Sequence, residues 1–159
     1  MKRVLLAASL IVLVLGGVAF WHLNRPKVKI NRAVDRLFET LGHKKVSLTA
    51  PTDPREALRD VLAAEIRIIG IPEVDSPVVT FEQFCEKVDT LHRLTSLCEF
   101  QEQDRRVIIE GHQAQASRTT TITAAAGPRF RMEQTRDLIF DLEKSDRWRI
   151  TAIRARKED

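Results

Sequence analysis

Tyrosine is absent from this chain of 159 residues, and cysteine, methionine and tryptophan occur only twice each. Two cysteines, Cys85 and Cys98, are too few for a disulfide framework. A single bridge between them stays open if the domain is exported to an oxidising compartment. Two buried free thiols, packed as small hydrophobes, are the alternative. No glycine-rich phosphate loop, nucleophile elbow or Cys-x-x-Cys pair occurs, so the common motifs of nucleotide binding, serine hydrolysis and thiol redox chemistry are missing. There is no internal repeat and no low-complexity tract.

An excess of one charge is also lacking once the N-terminus is set apart. The net charge is +4, and Lys2, Arg3, Arg25 and Lys27, which flank an apolar run, account for all of it. From Val28 onward 22 basic residues balance 22 acidic ones. The electrostatic footprint of a nucleic-acid partner is therefore absent. The balance is uneven along the chain: Asp53 to Asp104 holds 12 acidic against 5 basic residues, and Arg105 to Asp159 holds 12 basic against 8 acidic. Acidic helices set against a basic sheet would cancel one another across a fold. At 43% hydrophobic and 30% charged, the composition is that of a folded domain.

What is present begins with "MKRVLLAASLIVLVLGGVAFWHLNRPK". Residues 4–23 carry no charge, and as a helix they would span about 30 Å, the thickness of a hydrocarbon core. Trp21 and His22 lie near one end, where amphipathic rings favour the interface. Residues 1–27 are thus expected to be a membrane anchor or signal segment. Lys2 and Arg3 place the N-terminus in the cytoplasm and the remaining domain on the extracytoplasmic side of a single-pass protein. Gly17 and Ala19 leave the alternative of secretion after cleavage near Ala19.

Residues 28–159 read as one domain. Apolar residues at helical spacing predict a helix over Val28–Leu41, with Gly42 after it. Asp53, Pro54 and Glu56 start a second helix that should continue through Ile66 and finish before Gly70. Thr80 and Gln83 form a capping box for a third helix, striped by Phe81, Phe84, Cys85, Val88, Leu91 and Leu94. From Leu97 the period changes to two. Strands are expected at 97–103, 107–116, 118–126, 129–142 and 148–155, with "QDRR", Gly127-Pro128 and "EKSDR" as connections. The plan is α+β: an N-terminal membrane helix, then three helices packed on a curved antiparallel sheet.

Helices first, then long meandering strands ending in "DRWRITAIRA" with Trp148 and Ile150 in a Trp-x-Ile pattern, resemble the NTF2-like (SnoaL-like) cone, over roughly residues 28–156. The resemblance implies a pocket between the concave sheet face and the helices, and homodimerisation through the convex face. The superfamily hosts isomerases, dehydratases, carriers and structural adaptors, so fold alone selects no activity. Enzymes of this kind are expected to carry an Asp, His or Tyr grouping in the cone, and this chain has no Tyr. Membrane-tethered members resemble secretion-system scaffolds, but the Asn-Pro-x-Gly turn of those scaffolds is missing.

The strand "RFRMEQTRDLIFDL" supplies the leading site. Phe130, Met132, Leu138, Phe140 and Leu142 alternate onto one face, and Gln134 and Arg136 interrupt it. Projecting into a cone, Arg136 would suit a carboxylate or phosphate. A solvent or dimer surface is the bland alternative. Glu110 and His112 alternate on one expected strand face, which is too few ligands for a metal. Asp89 and His92, three apart on the third helix, could begin acid–base machinery, although both fall on its solvated side. Candidate pocket residues are therefore Gln134, Arg136, Met132, His112 and Glu110, with no catalytic group, metal or cofactor assigned. The expected function is a membrane-anchored, non-catalytic domain binding a small ligand or a protein partner. The alternatives are an assembly scaffold subunit of an envelope complex, or a lyase or isomerase using the cone.

Overall fold

The computed structural model describes residues 25–44, 53–71 and 77–157. Three helices lie against one seven-stranded sheet of order β1-β4-β5-β6-β7-β2-β3. The expected N-terminal membrane helix lies outside the described residues. Among the described residues, no helix is long and apolar enough to cross a membrane.

Helix α1 (Pro26–Leu41) starts on a proline, whose fixed φ suits the first helical turn. Its Ile30, Ala33, Val34, Leu37 and Phe38 are buried, as the helical spacing requires. Gly42 closes it by donating its N–H to the Phe38 carbonyl at 2.8 Å, and β1 (His43–Lys44) follows. Helix α3 (Phe81–Leu94) has the expected capping box: the Thr80 hydroxyl accepts from Gln83 N–H, and the Gln83 side chain accepts from Thr80 N–H.

The second helix departs from expectation. Helix α2 is only Pro54–Leu58, and Leu62–Ile69 is strand β2, which pairs in parallel with β7 (Trp148–Lys157). Leu62 and Ile66, four apart, fit either a helix or period two, whereas Ile68 falls on the far side of a helix and fits only a strand, and all three are buried as its inner face. Tertiary pairing of β-branched residues overrides the helical spacing. The parallel β2–β7 pair makes the sheet mixed, where an antiparallel one was expected. A short β3 (Val78–Thr80) closes the far edge.

Two expected breaks are absent. "QDRR" is no connection, because β4 runs unbroken from Leu97 to Glu110 with an irregularity between Glu102 and Asp104. A bulge there bends a strand without ending it. β5 runs from Gln113 to Ala126 through Ser117. The β4–β5 reversal is the two-residue turn Gly111–His112, made feasible by Gly111 at φ +61. Strand β6 (Phe130–Lys144) follows the turn at Gly127, and β7 follows Ser145–Arg147.

The core lies between the helices and one sheet face. Leu138, Phe140 and Leu142 of β6 and Trp148, Ile150 and Ile153 of β7 pack against α1, Leu58, Phe84 and Val88. Phe38 stacks on Phe100 at 5.0 Å and meets Phe140 edge-on at 5.6 Å, so α1 bridges β4 and the central strand β6.

Candidate functional site

On the helix-facing side of the sheet, β5 presents Ala114, Ala116, Arg118, Thr120, Ile122 and Ala124. Their register partners on β6 are Leu142, Phe140, Leu138, Arg136, Gln134 and Met132. Leu138, Phe140 and Leu142 are buried under the helices. Met132 is 37% exposed and Phe130 53% exposed. Gln134, exposed, and Arg136, half-buried, share the helix-facing side of the sheet with these residues, at the end that the described helices leave uncovered.

Arg136 donates through Nε and Nη2 to Gln134 Oε1, at 3.1 and 2.8 Å. Its bonds reach no carboxylate among the described residues. Its register partner Thr120 is fully buried and its hydroxyl has no hydrogen-bond partner. On the other side of Thr120 lies Glu102 of β4. A polar row, Glu102–Thr120–Arg136, therefore crosses three strands beside the aliphatic core.

Beneath α1 sits a cluster that the sequence reading did not identify. Arg118 is 1% exposed. It donates to Asn31 Oδ1 at 2.5 Å and to the Ser117 carbonyl at 3.0 Å, and its Nε is 3.5 Å from Glu102 Oε2. Arg105 reaches the same Glu102 oxygen at 2.6 Å and Asp35 at 3.8 Å. Burial pulls the Arg118 pKa down, with Glu102 opposing that shift. Two arginines and two carboxylates cancel, with Arg118 and Glu102 buried and Arg105 and Asp35 at the solvent margin of the group. Arg136 stands on this face outside that group.

The remaining candidates separate. Glu110 lies on the opposite face of the sheet, in a depression of about 350 Å³ shared with Arg67, Asp141 and Glu143. His112 is in the β4–β5 turn, exposed, its carbonyl accepting from Lys144 N–H at 2.8 Å. It is not on a strand face with Glu110, because the strand ends at Glu110, two residues before the alternation implied. No group of three or more metal-ligating side chains occurs among the described residues. Asp89 and His92 do not pair. Asp89 accepts from Arg55 of α2 at 3.0 Å, and His92 Nε2 lies 3.3 Å from the Leu41 carbonyl. Cys85 and Cys98 are free and buried, and burial pushes both thiols up to about 11.

A second, wider concavity of about 710 Å³ runs between α1 and the start of β4. It is lined from Asp35 to Lys44 on one side and from Cys98 to Arg105 on the other.

No protein-family profile and no curated protein matches this chain. Solved structures do match. A protein of unknown function from Mycobacterium tuberculosis aligns at 18% identity over 82% of this chain and 75% of its own, with a TM-score of 0.62. A candidate dehydratase of the NTF2-like family from Streptomyces avermitilis aligns at 14% identity over 82% and 94%, TM-score 0.61. A candidate scytalone dehydratase from Novosphingobium aromaticivorans aligns at 9% identity over 82% and 83%, TM-score 0.64. At these identities the likeness carries the fold, which is NTF2-like, and not an activity.

Proposed function

We propose that this chain is a membrane-anchored, non-catalytic NTF2-like domain that binds a small anionic ligand at the open end of its concave face. The observation that carries the reading is Arg136. It is a half-buried arginine whose guanidinium is held by the exposed Gln134, without a carboxylate among the described residues, in the strand register beside an unpartnered Thr120 hydroxyl. A carboxylate or phosphate complements such a fork in bidentate fashion. Partly exposed Met132 and Phe130 and half-buried Ile122 continue along the same face, which suits a ligand with an apolar body behind its anionic group.

The non-catalytic part of the proposal rests on the cone interior. Arg118, Glu102 and Arg105 engage one another there, so these groups are committed to packing and charge balance, leaving no free acid–base pair among them. The anchoring part rests on the charge-free run at residues 4–23, with the domain on the extracytoplasmic side.

Both parts are testable. After alkaline carbonate washing, the full chain is expected in the membrane pellet, and recovery in the supernatant contradicts the anchor. In equilibrium dialysis of the full chain in a non-ionic detergent, medium-chain fatty acids and aromatic carboxylates are expected to bind with one site per chain. Arg136→Leu should weaken that binding at least tenfold. Equal binding by the variant contradicts the assignment of the site.

A further inference from the structure

Strand β4 lies next to the two-residue β1 at one margin of the sheet. β1 covers only Leu97 and Cys98. From Glu99 onward the outer edge of β4 has no strand partner among the described residues. An uncovered edge presents alternate N–H and C=O groups ready to pair with another chain.

The wider concavity lies along this edge. Five consecutive residues, Cys98 to Glu102, line it. Alternating side chains of a strand point to opposite faces, so five in a row face one space only when the strand meets that space edge-on. The opposite wall is α1, through Asp35, Phe38, Glu39 and Gly42. The slot therefore continues the line of β1, just where the chain turns away at Gly42 into α1.

Its chemistry is selective. Asp35 and Glu102 on its wall are balanced by Arg105 and Arg118, which leaves the exposed carboxylates of Glu39 and Glu99 set against Lys44 alone. Two buried polar atoms along the groove have no hydrogen-bond partner. Asp35 Oδ1 is one. His43 Nδ1 is a second polar atom there without a partner. Phe100, stacked on Phe38, offers an aromatic face to an alkyl or cationic side chain.

The geometry points to the free edge of β4 at Glu99–Glu102, walled by α1, as a docking slot for an extended, basic segment of a partner protein. This segment adds antiparallel to β4 in continuation of β1. The slot is separate from the Arg136 site and does not depend on it.

The test uses the full chain in a maltoside detergent and a fluorescent, end-blocked peptide of alternating Lys and Val. Three comparisons accompany it: an alternating Glu and Val peptide, a Lys/Val peptide N-methylated at alternate residues, and the Glu39→Lys/Glu99→Lys variant. Saturable binding of the Lys/Val peptide is expected, with a loss of at least tenfold in each comparison. Slowed hydrogen exchange confined to Glu99–Glu102 amides on the β4 strand should accompany it. The two substituted glutamates are exposed, and unchanged circular dichroism of the variant excludes misfolding as the cause. Equal binding of the N-methylated peptide, or no protection on β4, overturns the proposal. So does concentration-dependent dimerisation that protects the same amides while the peptide fails to bind, because the occupant is then a second copy of this chain.

Discussion

Replacing Arg118 by methionine separates an architectural cone interior from a functional one. The arginine side chain is fully buried and makes hydrogen bonds to Asn31 and the Ser117 carbonyl. Methionine keeps most of the volume but removes both bonds and one of the two cations facing Glu102. Breaking a buried ion pair by removing one partner costs about 3–5 kcal/mol. Here Arg105 stays 2.6 Å from Glu102, so the remaining carboxylate is not left alone. The expected loss is therefore smaller, about 2–4 kcal/mol, with the orphaned Asn31 amide as part of it. Glu102→Gln should cost at least as much, since it strands a buried guanidinium. The double variant should lose clearly less than the sum, because each single change leaves an unmatched charge that the other removes. Urea unfolding of the full chain in non-ionic detergent, followed by circular dichroism, measures all three. A loss below about 0.5 kcal/mol for Arg118→Met, or a gain in stability, would refute the reasoning. It would mark Arg118 as a group held for function at the expense of stability.

Other expectations follow from single positions. Gly70 has φ +77, and a Cβ there would lie 2.2 Å from the Ala155 carbonyl oxygen. Gly70→Ala should thus cost about 1–3 kcal/mol through strain and displacement of β7, seen as a lower melting temperature, and an unchanged value contradicts the close approach. Cys85 and Cys98, with thiols pushed up to about 11 by burial, should resist iodoacetamide at pH 8 until the chain is unfolded. Their folded pKa is raised, so the stability linked to them is complete below the unfolded value of about 8.5 and declines as pH rises toward 11. A urea midpoint that does not fall over that window contradicts the linkage. His112→Ala, in an exposed turn, should change stability by less than about 0.5 kcal/mol and leave carboxylate binding intact. A weakened ligand would return His112 to the site.

Much of the fold was legible because its signals are local. The α1 stripe, the Thr80–Gln83 capping box and the inward Trp148 and Ile150 each depend on residues a few positions apart. β2 was not legible, because Leu62 and Ile66 continue the helical spacing of Leu58 as well as they fit a strand, and the deciding partner, β7, comes more than eighty residues later. The placement of Gln134 and Arg136 on the concave face came from simple alternation along β6. The same alternation would have revealed Arg118 among Ala114, Ala116 and Thr120, had β5 been read as continuous through Ser117. Asn31, Asp35, Glu102 and Arg105 carry no such mark. They are charged or polar residues on amphipathic elements, and only the packing of α1 over the bulged β4 brings them together. Glu110 and His112 show the opposite failure: an alternation was carried past the end of a strand into a turn.

The most direct measurement is native mass spectrometry of the full chain, released from membranes in a mild detergent, alongside Arg136→Leu. One acidic small molecule per chain, absent from Arg136→Leu and retained in His112→Ala, is the predicted result. An identical spectrum for wild type and Arg136→Leu, whether both empty or both occupied, would contradict an anion site on the concave face.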